Sequence, residues 1–425
     1  AINPKLLDIS VIRKWQCIPE DDLECALNSD DALTTIYYLF EKYSDDEHRT
    51  LFKNFVEIQD HWLEDYALYS CLKRKFDATS WIEWPVEFRD RQTEALTNFR
   101  SNNTDDLQII KFEQFVIYNA WQSIKHYAAH KNVAIFGDIP IFVSHDSADV
   151  WANRSLFHLD EAGNPLTIAG VPPDYFSANG QRWGNPHYRW EEMAKDNYSW
   201  WLKRLTHDLA LYAFVRIDHF RGFESFWEIP ANEPTAINGK WIKAPGKELI
   251  TIFKEHFKAL PIVAEDLGII TPEVEELRDN FNLPGMKILQ FAFDSDANNP
   301  YLPHNHLKHS VVYTGTHDNN TTLGWFKHLD DQTREHCLEY LNFPKENMPW
   351  PLIQAALASV AQLAIIPMQD LLTADSDQRM NTPGTTEGNW AWRFQWSDVP
   401  NELRVHIQRL NNIYGRSIES WKESV

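Results

Sequence analysis

The stretch Ala213-Phe-Val-Arg-Ile-Asp-His-Phe-Arg-Gly-Phe223 places two charged residues at the end of a predicted strand. Its first half is aromatic and β-branched, and Gly222 introduces turn chemistry, so residues 214–218 are predicted to form a β-strand. Side chains alternate between the faces of a strand, and Arg216 and Asp218 therefore point the same way. A guanidinium beside a carboxylate favours the ionised form, which suits a nucleophile. An ordinary ion pair in the protein interior is the alternative interpretation of so short a pattern.

The size and charge of the chain exclude several classes of protein. Its 425 residues are 43% hydrophobic, enough for a large core, and a barrel with insertions reaches this length as one domain. The formal net charge of −21 argues against nucleic acid and anionic membranes as partners and is compatible with a neutral substrate. The 18 Trp and 15 Tyr residues also provide flat apolar faces on which sugar rings stack.

The cysteines and the N-terminal residues indicate a reducing compartment. The four cysteines form no Cys-x-x-Cys pair, which favours free thiols. The first residues do not resemble a signal peptide, and no apolar run is long enough to span a bilayer, so a cytoplasmic location is expected. The 17 histidines form no convincing ligand pair, and neither a metal ion nor a cofactor is predicted.

The order of elements predicts an α/β barrel. Apolar residues recur at helical spacing over 31–130, and short apolar strands that end in acidic or polar residues follow. These predicted strands are 133–138, 214–218, 261–266, 287–294, 311–318 and 363–370. Strands alternating with helices, with carboxylates at successive strand ends, indicate a (β/α)8 TIM-type barrel with helical and loop insertions. A doubly wound open sheet is the alternative, but it would have one site at its switch point.

The predicted barrel has six strands instead of eight. We therefore expect the first two β/α units, roughly 60 residues, to be absent from this chain. The alternatives are short strands within residues 1–32 and a fold that closes differently. The predicted organisation is a single catalytic barrel domain over 1–425, with a mainly helical subdomain at 31–130. An inserted loop region is also expected at 144–205.

Three strand ends carry the candidate catalytic acids, namely Asp218, the pair Glu265 and Asp266, and Asp318. Retaining glycosyl transfer needs one carboxylate as nucleophile and another as acid and then base, about 5 Å apart. Alternation prevents Glu265 and Asp266 from both facing inward from a regular strand. One of the two is expected to be catalytic and the other structural, and periodicity does not decide which.

Several longer motifs make the resemblance to one family specific. The chain resembles the 4-α-glucanotransferases, also called amylomaltases or disproportionating enzymes, of glycoside hydrolase family 77. The motifs that carry this resemblance are Arg216-Ile-Asp-His-Phe-Arg-Gly-Phe223, Ala264-Glu-Asp-Leu-Gly268, Tyr313-Thr-Gly-Thr-His-Asp-Asn319, Gly170-Val-Pro-Pro-Asp-Tyr-Phe-Ser177, Glu233-Pro-Thr-Ala-Ile-Asn-Gly239 and Pro383-Gly-Thr-Thr-Glu-Gly-Asn-Trp390. The likeness is dense over 110–395.

The resemblance implies a role for each matching acid. Asp218 would be the nucleophile, Glu265 the acid/base, and Asp318 a third acid that grips sugar hydroxyls and helps to distort the donor ring. Arg216 would keep Asp218 ionised. His317 would hydrogen-bond the sugar at the cleavage point.

Further residues are implied to contact or support the substrate. Asp138 would support the floor of the site, although a structural turn acid is an equal alternative. Asn319 belongs to the same predicted binding set as His317. Tyr175 and Phe176 would form the lid that keeps water from the glycosyl-enzyme, and Trp183 would stack on glucose.

Two features depart from the family pattern. The chain begins after the Ser-Pro-Tyr loop with which the family contacts donor sugars, and Asn320 replaces a usual aspartate. We predict a retaining enzyme that cleaves α-1,4-glucans and maltooligosaccharides and passes the glycosyl segment to the 4-hydroxyl of glucose or of another glucan. The alternatives are a glucan hydrolase of the α-amylase clan and a catalytically silent glucan-binding barrel.

Overall fold

The computed structural model describes residues 1–173, 177–385 and 387–417. These residues form an α/β fold with two compact units, Ala1–Pro261 and Ile262–Val425. In the described part of the chain, none of the helices combines the length and apolar character that crossing a membrane requires.

The first unit is helical up to His130, because its apolar residues recur every three or four positions. Asp31 and Asp45 cap two of these helices by accepting hydrogen bonds from the backbone N–H groups of Thr34 and His48. The helices of this segment are α1 (Glu20–Leu27), α2 (Ala32–Tyr43), α3 (Asp46–Ile58), α4 (Asp60–Lys75), α5 (Val86–Arg89), α6 (Thr93–Asn102) and α7 (Thr104–His130).

Aromatic side chains form the core of this helical segment. Phe40 of α2 and Phe112 of α7 are fully buried, with ring centroids 4.9 Å apart. Phe52 of α3 lies 5.3 Å from Phe115 of α7 in the same core. Tilted ring pairs of this kind add to the stabilisation that burial provides. The segment is therefore organised around α7, a helix of 27 residues.

Two sets of strands follow the helical segment in the first unit. The elements are β1 (Phe136–Pro140), α8 (Ala148–Ala152), β2 (Thr167–Val171), β3 (Gln181–Pro186), α9 (Trp190–Ala194), α10 (Ser199–Leu211), β4 (Phe214–Asp218), β5 (Ser225–Pro230), β6 (Lys240–Lys243) and α11 (Gly246–Phe257). Strands β1 and β4 pair in parallel, with Asp138 opposite Arg216. The others form an antiparallel sheet in the order β3-β2-β5-β6.

The antiparallel sheet is absent from the sequence-based prediction. Its strands contain glycine and proline, such as Gly170 in β2 and Gly184 and Pro186 in β3, which weaken the strand pattern. Gly170 is required by packing, because an added Cβ would lie 2.1 Å from the carbonyl oxygen of Gln181 on β3. The sheet therefore forms by pairing between distant segments, and the local sequence patterns do not predict it.

The second unit alternates strands with helices. Its elements are β7 (Ile262–Ala264), α12 (Pro272–Asn280), β8 (Gly285–Ile288), β9 (Ser310–Tyr313), α13 (Thr322–His328), α14 (Asp331–Tyr340), α15 (Trp350–Ala358), β10 (Leu363–Ile365), α16 (Met368–Leu371) and α17 (Asn401–Ile413). Strands β8, β9 and β10 are parallel and lie in the order β10-β9-β8. Parallel strands joined through helices are typical of β/α units.

The observed strands are shorter than the predicted ones, except for β4, whose bounds coincide with the prediction. Strand β8, for instance, ends at Ile288 and gives way to a 3₁₀ turn at Leu289–Phe291. Several predicted strand-end acids consequently lie in the loops that follow the strands. Side-chain alternation does not apply in such loops, so tertiary contacts decide where each acid points.

Candidate active site

A buried arginine joins two acids at the centre of the first unit. Arg216 lies in β4, and its Nε and Nη2 donate to the two carboxylate oxygens of Asp138 at 2.9 and 2.8 Å. Its Nη2 also donates to Oδ1 of Asp218 at 2.6 Å. The side chains of Asp138 and Asp218 are 42% and 41% exposed, whereas that of Arg216 is buried. The guanidinium therefore orients two accessible carboxylates by charge-assisted hydrogen bonds.

The turn after Asp218 brings a tryptophan to the same end of β4. His219 adopts a left-handed backbone conformation, with φ of 54°. Its ring meets the ring of Trp183 edge-on, with a centroid distance of 4.8 Å. Burial, and then the charge of Arg221, lowers the pKa of His219 to about 3, so the imidazole is neutral at pH 7. The partly exposed Trp183 of β3 therefore contacts the neutral ring of the residue that follows Asp218.

The predicted lid residues Tyr175 and Phe176 lie outside the described residues. After them in the sequence, the hydroxyl of Ser177 donates to the carbonyl oxygen of Gly180 at 2.7 Å. Gly180 has a φ of 65°, and an added Cβ would lie 2.4 Å from the carbonyl oxygen of Val171. Only glycine fits this close approach, which brings the backbone at Gly180 against β2.

The structure separates the roles of Glu265 and Asp266, which both follow the end of β7. Oδ1 of Asp266 accepts a hydrogen bond from the backbone N–H of Met286 at 2.6 Å, and Oδ2 pairs with Arg278 of α12. Burial raises the pKa of the Asp266 carboxyl, although both donors act in the opposite direction. Glu265 is also buried, and its Oε1 accepts from the backbone N–H of Leu267 at 3.0 Å. Asp266 is therefore bound into the packing of α12 and β8.

We expect Asp266→Ala to destabilise the chain by about 3 kcal/mol, because it removes one partner of a buried ion pair and leaves Arg278 under-compensated. The matched control is Asp279→Ala. Asp279 also accepts from Arg278, at 2.7 Å, but its side chain is 62% exposed, so its loss should cost below about 1 kcal/mol. Urea unfolding of both variants measures the difference, and an equal cost would contradict the structural role of Asp266.

The loop after β9 holds the third acid in a network of side chains. Asn381 donates from Nδ2 to Oδ1 of Asp318 at 2.6 Å, and Arg379 donates to the Asp318 backbone oxygen at 3.0 Å. Nε2 of His317 lies 3.3 Å from Oδ2 of Asp318. Oδ1 of Asn319 accepts from the Thr316 backbone N–H (2.9 Å) and from the Thr316 hydroxyl (2.8 Å). The Asn319 side chain thus closes the loop that presents Asp318.

Arg379 and Asn381 are functional neighbours that the sequence analysis missed. They lie about 60 residues after Asp318, in an irregular segment without periodic signal. The sequence signal that could have indicated these two residues is the nearby motif that ends at Trp390. The Trp390 ring lies 5.0 Å from the His317 ring, so this segment lines the Asp318 loop.

Two other polar residues near this loop are structural. Asp370, the acid predicted at the end of the last strand, is buried and accepts from the hydroxyls of Thr314 and Thr322 at 2.6 and 2.7 Å. Burial raises the pKa of its carboxyl. Asn320, which departs from the family pattern, donates from Nδ2 to the Ser376 hydroxyl at 2.9 Å. An aspartate could keep this bond by accepting from the serine.

Each unit therefore gathers part of the predicted set. The first brings Asp138, Arg216 and Asp218 into direct contact. The second holds Glu265 at the end of β7 and joins His317 to Asp318 in the loop after β9. Each acid lies within two residues of a described strand end or in the loop that follows a strand.

Comparison with known proteins agrees with these motifs. A family model described as 4-alpha-glucanotransferase, of glycoside hydrolase family 77, matches residues 21–398. The chain is 48% identical to a 4-alpha-glucanotransferase from Thermus thermophilus in an alignment of 380 positions that covers 88% of this chain and 75% of that protein. It is 40% identical to one from Clostridium butyricum in an alignment of 433 positions that covers 98% of this chain and 88% of that protein.

A solved structure extends the similarity to the fold. An amylomaltase from Streptococcus agalactiae in complex with acarbose superposes with a TM-score of 0.91 at 34% identity. The match covers 98% of this chain and 87% of that one. The chain therefore belongs to glycoside hydrolase family 77, and its function is that of a 4-α-glucanotransferase.

Proposed function

We propose that the chain transfers α-1,4-glucan segments by a retaining double displacement, with a covalent intermediate on Asp218. The observation that carries this proposal is the contact of Arg216 with both Asp138 and Asp218. A nucleophilic carboxylate must be oriented and accessible, and the Asp218 side chain is bonded to Arg216 and 41% exposed at the end of β4.

In the first step, a carboxylate oxygen of Asp218 attacks the anomeric carbon of the donor. The bond to the glycosidic oxygen breaks, and Glu265 donates its proton to that oxygen, releasing a shortened glucan. In the second step, Glu265 removes the proton from the 4-hydroxyl of the acceptor. The acceptor oxygen then attacks the anomeric carbon, and the ester to Asp218 breaks. The new bond has the original configuration because the carbon is inverted twice.

Glu265 is the acid/base in this proposal because the carboxylate of the neighbouring Asp266 already binds other parts of the fold. Both oxygens of Asp266 accept bonds from α12 and β8, as described above. Asp318 would hold hydroxyls of the donor ring, since Asn381 and Arg379 fix its side chain and backbone. His317 and Trp183 would contact the sugar, and Asp138 would support Arg216 from the floor of the site.

The proposed substrates are α-1,4-glucans and maltooligosaccharides, with glucose or a second glucan as acceptor. The names of the relatives and the acarbose complex support this class. Tyr175 and Phe176 would form the lid over the acceptor side. A (β/α)8 barrel carrying the 31–130 and 144–205 insertions remains the proposed architecture. Four free cysteines support a cytoplasmic location.

The test of the proposed function is the product pattern from maltotriose. We expect glucose together with maltotetraose and longer maltooligosaccharides, resolved by chromatography over time, because a sugar hydroxyl and not water should resolve the intermediate. Heat-inactivated protein is the control. Glucose and maltose without longer products would instead indicate a hydrolase, and binding without turnover would indicate a silent glucan-binding protein.

A further inference from the structure

Four aromatic residues between positions 390 and 396 of the second unit form what we call the aromatic row. It consists of Trp390, Trp392, Phe394 and Trp396. Residues 391–395 have no helical structure, and the aromatic residues occupy every second position. The rings of Trp392 and Phe394 stack with centroids 5.6 Å apart at 28°, and the ring of Trp396 lies 5.3 Å from that of Phe394. The row begins at Trp390, beside His317.

Hydrogen bonds at both ends hold the row in place. Nε1 of Trp392 donates to Oε1 of Gln378 at 2.7 Å, and the backbone N–H of Trp390 donates to the carbonyl oxygen of Met380 at 2.7 Å. A capping box between Gln395 and Asp398 fixes the short turn that contains Trp396. The rings are therefore presented on a preorganised segment, which lowers the entropic cost of binding a ligand.

Trp396, at the far end of the row, is unusually exposed to solvent for a tryptophan. Trp396 is 80% exposed, more than any other large hydrophobic side chain in the described part of the chain. Several other tryptophans, such as Trp81, Trp151 and Trp201, are fully buried. Large apolar side chains exposed next to one another mark interaction sites, since exposure to water forgoes the free energy of burial.

We propose that the aromatic row is an auxiliary binding surface for an α-1,4-glucan chain that extends away from His317. This inference rests on the proposed function, which supplies the substrate class. Sugar rings have apolar C–H faces that stack on aromatic rings and hydroxyl rims that need polar partners. A neutral polymer also suits a chain whose net charge is −21, because an anionic ligand would be repelled.

The experiment compares Trp396→Ala with the wild-type chain by native electrophoresis in gels that contain soluble amylose. Trp396→Ala should need roughly threefold to tenfold more amylose for half-maximal retardation, because it removes one stacking face. Trp396→Phe should retain most of the retardation. The matched control is Tyr127→Ala in α7 of the first unit, whose side chain is 66% exposed and which should behave as wild type. The urea midpoints of all variants should agree.

Kinetics with short and long donors separate this surface from the catalytic site. The KM for amylose should rise by the same factor in Trp396→Ala, whereas kcat/KM for maltotriose should stay within about twofold, because a trisaccharide occupies the site without reaching the far ring. Unchanged retardation and unchanged KM in Trp396→Ala would overturn the proposal, as would equal losses with both donors. A wild-type dimer that Trp396→Ala converts to a monomer would also overturn it, in favour of a self-interface.

The two proposals can fail separately. If the wild-type chain does not disproportionate maltotriose but is retarded by amylose in a Trp396-dependent way, the proposed function fails and the surface stands. If it disproportionates maltotriose while Trp396→Ala is retarded like wild type, only the surface is rejected.

Discussion

Asp218→Asn is expected to lower the rate of maltotriose disproportionation by at least roughly 10³-fold, because an amide oxygen is too weak a nucleophile to form the glycosyl ester. The substitution is nearly isosteric. In the wild-type chain, Oδ1 of Asp218 accepts a hydrogen bond of 2.6 Å from Nη2 of Arg216. The amide oxygen of the variant can accept the same bond, so the loss of activity should reflect the chemistry and not a rearranged site. Initial rates of glucose release, measured with a coupled assay, give the ratio.

Asp138→Asn is the matched control for this prediction. It also replaces an acid that is bonded to Arg216, at a similar exposure, but Asp138 takes no part in bond making in the proposed mechanism. We expect a loss of roughly tenfold, because an amide nitrogen replaces one of the two carboxylate oxygens that accept from Arg216, so one of the two charge-assisted hydrogen bonds is lost. Asp218→Asn with activity within tenfold of wild type, or equal losses in the two variants, would refute the assignment of the nucleophile.

Glu265→Gln is expected to lower the rate with maltotriose by about 10² to 10⁴-fold, the usual contribution of a general acid/base. A donor with a fluoride leaving group, such as α-maltosyl fluoride, needs no proton for departure. Formation of the intermediate should therefore remain fast with this donor. Resolution of the intermediate should stay slow, because no base then activates the acceptor hydroxyl. The glycosyl ester should consequently accumulate on Asp218, where peptide mass spectrometry can locate it.

The neighbouring acid provides the control for this second prediction. Asp266→Asn should lower stability while leaving the ratio of rates with maltosyl fluoride and maltotriose unchanged, because Asp266 is bound to Arg278 and Met286. A preference for the fluoride that appears in Asp266→Asn and not in Glu265→Gln would exchange the roles of the two residues. An initial burst of fluoride release that Glu265→Gln slows as much as the reaction with maltotriose would remove it as the proton donor.

Much of the local structure follows directly from the sequence. Strand β4 has the predicted bounds, and α12 begins at Pro272, where proline is compatible with the first helical turn. Alternation along β4 also places Arg216 and Asp218 on one face, and the two side chains are in contact. These features depend on residues within one turn or one strand, so local chemistry is sufficient to predict them.

Tertiary structure decided the features that involve distant partners. Asp138 meets Arg216 through the parallel register of two strands whose paired residues are 78 positions apart. Asp318 is held by Arg379 and Asn381 from an irregular segment, and the antiparallel sheet joins strands that carry weak signals of their own.

The pair Glu265 and Asp266 shows most clearly where prediction from the sequence stops. Strand β7 ends at Ala264, so both acids lie where the two-residue alternation no longer sets the direction of a side chain. The sequence by itself determined that a strand delivers two acids to one end of the sheet. Only the folded chain gives them different surroundings, because the N–H of Met286 and the guanidinium of Arg278, 20 and 12 residues away, bind Asp266.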